Sequence, residues 1–222
     1  MIRMKPDVRN KMAKRAAAEI TDGMVVNLGI GIPSLVPNHL PEAMTVMFHA
    51  ENGILGMGPS PFKGKENANL CNAGGLPVTI VPGAAYFDSA TAFGMIRQGK
   101  VDVSILGSLQ VSSKGDLANW IIPGKKVPGM GGAMELAAKA KKLIVLMNHT
   151  DKMGKPKILA ECTLPLTAKK CVDFIITELA VFEIIDEKLM LVEHFSTTTV
   201  DEIIAKTACE FLIAEKLKII DY

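Results

Sequence analysis

Met24-Val-Val-Asn-Leu-Gly29-Ile-Gly31-Ile-Pro33 is the stretch that decides the fold. Its first five residues form a short apolar run, which predicts a buried strand. The next five turn the chain on two glycines and a proline. Upstream, Val8, Met12, Ala16 and Ile20 recur every fourth position with Lys and Arg in the gaps. That spacing predicts an amphipathic helix begun by Asp7 as N-cap and ended at Asp22-Gly23. Downstream the alternation repeats: Thr45–Phe48, Val78–Val81, Val101–Leu106 and Leu143–Met147 read as strands, Ser89–Arg97 and Ala133–Lys142 as helices. Short continuous apolar runs alternating with helices predict an α/β fold, an open and mostly parallel sheet covered by helices.

After about residue 155 the pattern changes. Lys157–Glu161, Asp173–Thr177, Ala180–Ile185 and Leu189–Val192 are closely spaced strand candidates with little helix between them. They predict an antiparallel C-terminal portion or a second layer. No polar linker precedes them, so residues 1–222 read as one domain. Thr199-x-x-Glu202 before Ile203-Ile204 is a capping box that opens a last helix.

Composition narrows the function. Of 222 residues 49% are hydrophobic and 22% charged, which excludes intrinsic disorder. Lys and Arg number 25 against 23 Asp and Glu, so there is no basic excess for neutralising nucleic-acid phosphates. No apolar run approaches the roughly 20 residues of a membrane helix. Cys71, Cys162, Cys171 and Cys209 are scattered, with no C-x-x-C pair or ligand-spaced His, and predict reduced thiols and no zinc. The charged N-terminus lacks a signal peptide's apolar run, so the expected compartment is the cytoplasm.

Three glycine-rich turns carry the chemistry. Asn27-Leu-Gly29-Ile-Gly31 follows a strand and offers backbone N–H groups to an anion. Gly129-Met-Gly131-Gly132 opens the helix at Ala133, with the helix dipole behind it. Phe48-His-Ala-Glu51-Asn-Gly53-Ile-Leu-Gly56 sits just past a strand end and holds an acid. Ligands in open α/β sheets bind beyond the carboxyl ends of the strands, where these turns are expected. Each turn alone also fits ordinary loop chemistry. A nicotinamide-binding reading is weak, because Ser34 stands where the third glycine belongs. Pro33, Pro37 and Pro41 also leave room for only a very short helix before the next strand.

The glutamate stretch resembles the signature of the family I coenzyme A transferases, specifically the beta subunit of 3-oxoacid CoA-transferases. Asn27–Pro33, Asn72-Ala-Gly-Gly75, Pro82-Gly-Ala-Ala85, Leu117–Gly124, Gly129–Met134, Cys162–Thr167 and Thr177–Phe182 follow that subunit in order. The resemblance implies a CoA-transferase-like fold with Glu51 as nucleophile, forming a covalent glutamyl-CoA thioester. It places oxyanion and substrate contacts at Asn27, Gly29, Gly31, Asn52, Gly53, Gly131 and Gly132. It implies no metal and no organic cofactor, coenzyme A being a substrate. The alpha subunit's glycine-rich signature is missing, so the implied partner is a separate alpha polypeptide in a heterodimer or heterotetramer.

Several roles stay open at this level. His49 reads as a packing or hydrogen-bonding residue, or as a general base. Lys125 and Lys126 meet the CoA phosphates or form a solvated basic turn. Met57 and Met130 are core residues or line an acyl pocket. Succinyl-CoA-using relatives tend to carry Lys where this chain has Gly75, which points to a monocarboxylic donor such as butyryl- or acetyl-CoA with acetoacetate as acceptor. The rival from another class is a non-catalytic sugar-phosphate-binding module, whose anion would sit on the same turns.

Overall fold

The computed structural model describes residues 5–124 and 130–221. Helix α1 spans Pro6–Ala17, with Lys5 rather than Asp7 at the N-cap and Pro6 at the first helical position. Asp7 lies in the first turn, where its charge faces the positive end of the helix. The helix stops well before Gly23, and the chain reaches strand β1 (Val25–Leu28) through turns. Between β1 and β2 (Met47–Ala50) there is only a 3-10 helix, Pro33–His39, with Pro37 inside it. The prolines thus exclude a full crossover helix, as their spacing predicts.

The chain then forms β3 (Ile54–Met57), β4 (Ile80–Tyr86), α2 (Ser89–Arg97) and β5 (Val103–Gly107). Short strands β6 (Gln110–Ser112) and β7 (Leu117–Ala118) precede α3 (Ala133–Lys139), β8 (Lys142–Leu146) and β9 (Ile158–Leu159). The rest comprises β10 (Phe174–Ile176), β11 (Ala180–Ile185), β12 (Lys188–Phe195), α4 (Val200–Lys206) and β13 (Leu212–Ile220). Thr199 caps α4 by accepting from the backbone N–H of Glu202, as the capping box requires.

Ten strands make one sheet, in the order β13-β12-β11-β10-β8-β5-β1-β2-β3-β4. Its centre, β10-β8-β5-β1-β2, is parallel throughout. One apolar layer packs α1 and the 3-10 helix on one face, through Met12, Ala16, Val36, Val26 and Ile144. The other layer joins Ile96 of α2, Leu136 of α3 and Ile203 of α4 to Leu143, Ile175 and Phe182. Four buried or half-buried charges lock α1 to the sheet. Arg15 grips Glu193 of β12 at 2.5 Å and Glu19 at 2.7 Å, and Glu19 pairs in turn with Lys142 at 2.6 Å.

The C-terminal expectation splits in two. β11 is antiparallel to both its neighbours, β10 and β12, in the main sheet. The expected strand at 157–161 instead shrinks to β9 and joins a separate sheet, β7-β6-β9. Helix α3 ends at Lys139, three residues early, because the N–H groups of Lys141 and Lys142 bond Val101 O and Asp102 O and enter the sheet. Lys141 and Lys142 therefore do not sit at the helix end; they pair with Asp102 and Glu19.

Candidate active site

The glutamate sits on a three-residue turn. β2 and β3 pair antiparallel with Ala50 opposite Ile54, so Glu51, Asn52 and Gly53 close the hairpin. Gly53 has φ +118 and a Cβ there would lie 2.1 Å from Phe87 O. No side chain fits, because the backbone entering α2 presses on the turn; the Phe87 N–H bonds Gly53 O at 3.1 Å. Gly53 is thus required for the turn that carries Glu51 to close against Phe87.

Two of the three glycine-rich turns converge on this carboxylate. Asn27, at the end of β1, donates from Nδ2 to Glu51 Oε2 at 3.1 Å and to His49 O at 3.1 Å. Gly132, which precedes α3, lies on the other side. A Cβ built there would be 3.1 Å from Glu51 Cγ and 3.3 Å from Oε1. The carboxylate therefore lies between an amide donor and a bare α-carbon that are far apart in the sequence. Glu51 itself is half-buried.

The remaining sequence candidates are placed as follows. The N–H of Gly29 is taken by Ile105 O at 2.8 Å, which ties the end of β1 to β5. Gly31 has φ +98 and its carbonyl accepts from Ser34 Oγ at 2.8 Å. Asn52 donates its amide to Cys71 O at 2.8 Å, anchoring the Asn72–Leu76 loop to the hairpin. Gly131 has φ +55, in the left-handed region. Met57 is half-buried and packs against the α1-side core and the small cluster of Ala50, Ile54 and Val78. Lys125 and Lys126, with Gly129, lie outside the described residues.

Register adds a feature that spacing does not show. Asn27 stands opposite His49 on β2 and opposite Ser104 on β5, so the three side chains form a polar row on one face of the sheet. All three are buried, Asn27 and His49 at 1% exposure and Ser104 at none. Among the described residues, His49 Nε2 and Ser104 Oγ are the buried side-chain polar atoms with no hydrogen-bond partner. Each such group costs about 1–3 kcal/mol. Burial pushes the His49 imidazole below its ordinary pKa, while the charge of Glu51 and the backbone of Ala92 pull the other way.

His149, the other fully buried histidine, is satisfied at both nitrogens, by Thr177 Oγ1 at 3.0 Å and Thr207 Oγ1 at 2.9 Å. Burial raises the thiols of Cys162 and Cys209 to about 11 and that of Cys171 to about 12, so none of these is a thiolate nucleophile. Among the described residues no cluster of three His, Cys, Asp or Glu is arranged to hold a metal ion. No helix among them is long and apolar enough to cross a membrane.

A carboxylate held at the carboxyl edge by a buried amide can act as a nucleophile toward an acyl group. A family model, coenzyme A transferase, matches residues 9–206, and the chain belongs to that enzyme family. It is 62% identical over 92% of its length to the beta subunit of a probable coenzyme A transferase of Bacillus subtilis (strain 168), covering 94% of that protein. It is 49% identical over 95% of its length to one subunit of a probable succinyl-CoA:3-ketoacid coenzyme A transferase of the same organism, covering 98% of that subunit. Among solved structures, the apoenzyme of the acyl-CoA transferase YdiF from Escherichia coli O157:H7 superposes with a TM-score of 0.76 at 25% identity. That match covers 96% of this chain and 43% of the other. The nicotinamide and sugar-phosphate readings give way to this family.

Proposed function

We propose that the chain is the beta subunit of a heteromeric 3-oxoacid CoA-transferase. It moves CoA between an acyl-CoA and acetoacetate through a covalent thioester on Glu51. The observation that carries this reading is the Glu51 carboxylate set between the Asn27 amide at 3.1 Å and the α-carbon of Gly132. In the first step a Glu51 oxygen attacks the thioester carbonyl. The carbon–sulfur bond breaks, CoA leaves as thiolate, and an acyl-glutamyl anhydride remains. The thiolate then attacks Glu51 Cδ, and the first acid departs as carboxylate with the bridging oxygen. The second acid reverses both steps.

Attack at Cδ places an oxyanion on a Glu51 oxygen, where Asn27 Nδ2 already donates; one such donor is worth about 3 kcal/mol. Gly132, beside Oε1, allows close approach of its own backbone. The CoA body supplies binding energy remote from the reacting carbon, available to the transition state. Coenzyme A is a substrate in this scheme, and no step calls on a cofactor or metal.

A separate alpha subunit completes the site. Ile30, Leu76, Tyr86 and Met134 are large apolar residues left exposed on loops and element ends, the kind of surface a partner covers. The names of the two Bacillus relatives, each a subunit, also point to a two-subunit enzyme. Four free cysteines fit a reducing cytoplasm.

For the donor, Gly75 favours a monocarboxylic acyl-CoA, butyryl or acetyl. The Asn72–Leu76 loop is folded around Asn72 Oδ1, which accepts from Gly74 N–H at 2.9 Å and Leu76 N–H at 3.0 Å, and Gly75 brings no cation to it. The name of the 49% identical relative favours succinyl-CoA instead. Turnover with butyryl-CoA and succinyl-CoA at matched concentrations decides between them. The covalent step is tested by mixing the two-subunit complex with acyl-CoA, adding borohydride and mapping the peptides. Reduction at Glu51 is expected; an active complex with Glu51 unmodified overturns the assignment.

A further inference from the structure

We propose that His49 is a positioning residue for this reaction: a neutral ring, protonated on Nε2 alone, presents its Nδ1 lone pair to Asn27 and so keeps the Asn27 amide N–H on Glu51. The inference rests on the reading of Glu51 as nucleophile, but its geometric part does not. Asn27 Nδ2 faces three atoms: Glu51 Oε2 at 3.1 Å, His49 O at 3.1 Å and His49 Nδ1 at 3.4 Å. The carboxylate and the carbonyl accept only, so they fix the NH₂ end of the amide toward all three; with two hydrogens for three acceptors, one points to Glu51 and His49 O shares the other with Nδ1, its longer contact. His49 Nδ1 then meets a donor and must itself be unprotonated. The ring proton belongs on Nε2, which faces the Ala92 backbone but finds no partner at normal hydrogen-bond geometry.

An apolar side chain at position 49 would avoid that buried, unpartnered atom. The presence of His49 directly across from Asn27, in register and 1% exposed, marks a group kept for what its other nitrogen does. A proton on Nδ1 would set two donors against each other and push Asn27 off the carboxylate. The ring is enclosed by Asn27 of β1, by Phe87 stacked at 6.1 Å, and by Ala92 of α2. Glu51 is the charged group that bears on it. Acidification therefore acts on the nucleophile through this ring as well as by protonating the carboxylate itself. His49 is not assigned a proton-transfer step, since exchange between thioester and carboxylate moves no proton.

The test uses the complete two-subunit enzyme with ¹⁵N-histidine in this chain. Two-bond ¹H–¹⁵N spectra at pH 8 should show His49 as the neutral tautomer with Nε2 protonated. His49→Leu should lower kcat about 10-fold, the equivalent of one lost hydrogen bond, with KM for acyl-CoA within about twofold. The part of the acid limb of kcat that belongs to the ring should also disappear, leaving the part that belongs to the carboxylate. His49→Gln, whose side-chain oxygen can accept from Asn27, should recover most of kcat without the ring's part of the acid limb. A proton on Nδ1, or wild-type kcat and pH profile in His49→Leu, overturns the proposal. Borohydride that spares Glu51 while the tautomer is as expected refutes the nucleophile instead.

Discussion

His49 and His149 are both buried imidazoles whose pKa lies below the ordinary value, chiefly through desolvation. They differ in what surrounds them. His149 is pinned between two threonine hydroxyls and ties three segments together: the end of β8, the turn 177–180 and the end of α4. His49 makes one long contact to Asn27 and leaves Nε2 without a partner, close in sequence to the half-buried Glu51 carboxylate. A fully satisfied polar network stabilises a fold, whereas an unsatisfied group at a sheet's carboxyl edge is retained for function. The comparison separates a stabilising region from the proposed reacting one in the same chain.

The largest effect should come from the reacting region. Glu51→Gln is expected to lower kcat of the two-subunit enzyme by about 10⁴-fold or more, since the proposed nucleophile is gone. Glu51→Asp retracts the carboxylate by about 1.5 Å, the length of one bond, and should cost on the order of 10²-fold. Thermal midpoints should stay near wild type for both, because the hairpin turn is held by Gly53 and Phe87 backbone. Near-normal turnover in Glu51→Gln would remove the reacting region from this side of the molecule.

Gly132→Ala sharpens the contrast further. The residue is the N-cap of α3 with φ −77 and ψ −2, which alanine adopts freely, so the reduced freedom of the unfolded chain offsets the poorer cap and stability should change little. Its new Cβ would stand 3.1 Å from Glu51 Cγ and push the carboxylate aside. Activity is expected to fall about 10²-fold with no loss of stability, measured by kcat/KM beside urea unfolding. A parallel fall in stability would show Gly132 to be structural like Gly53.

The two regions also differ in how far the sequence reveals them. The parallel strands are legible because each is a continuous apolar run, and the antiparallel Ala180–Ile185 matches β11 residue for residue. β13 escapes the reading because it lies at the sheet edge, where most of its residues are exposed and no apolar face develops. β3 escapes because Gly53 and Gly56 make it look like a turn, although Gly56 sits at a register shift in a real strand. Glycine spacing and resemblance single out Glu51, Asn27 and Gly132. The row His49–Asn27–Ser104 is invisible there, because register between β2, β1 and β5 is a tertiary property. The partners of His149, 28 and 58 residues away, are hidden for the same reason.

The stabilising region should respond in stability and leave the rate alone. His149→Leu removes two hydrogen bonds and is expected to cost about 2 kcal/mol near pH 7.5, with kcat and KM of the folded complex within about twofold of wild type. Its pH dependence has a definite sign. Burial holds the folded-state pKa at about 4 against an ordinary 6.5, so the unfolded chain takes up the proton first. Stability from this group is present above about pH 6.5 and declines as pH falls toward 4, by roughly 3 kcal/mol in all. Urea midpoints between about pH 7.5 and 4.5 should fall less steeply in His149→Leu than in wild type. Equal slopes would mean the ring is not buried neutral.

The smallest effect tests the comparison most directly. Thr207 donates its hydroxyl to Ile203 O at 2.7 Å, so toward His149 Nε2 it can only accept. A neutral His149 therefore carries its proton on Nε2, the tautomer inferred for His49, and the Thr177 hydroxyl turns to Nδ1 while Ala180 O keeps the Thr177 backbone N–H. Thr207→Val deletes the acceptor and leaves His149 in the condition His49 already occupies, a buried ring with an unpartnered Nε2–H. Thr207 is itself only half-buried, so water can partly replace the lost oxygen, and the cost should be about 1 kcal/mol. Activity should not change, because this ring faces no carboxylate nucleophile. If Thr207→Val instead lowered kcat as His49→Leu is expected to, an unpartnered imidazole anywhere in the core would impair turnover. The special standing of His49 beside Asn27 and Glu51 would then be lost.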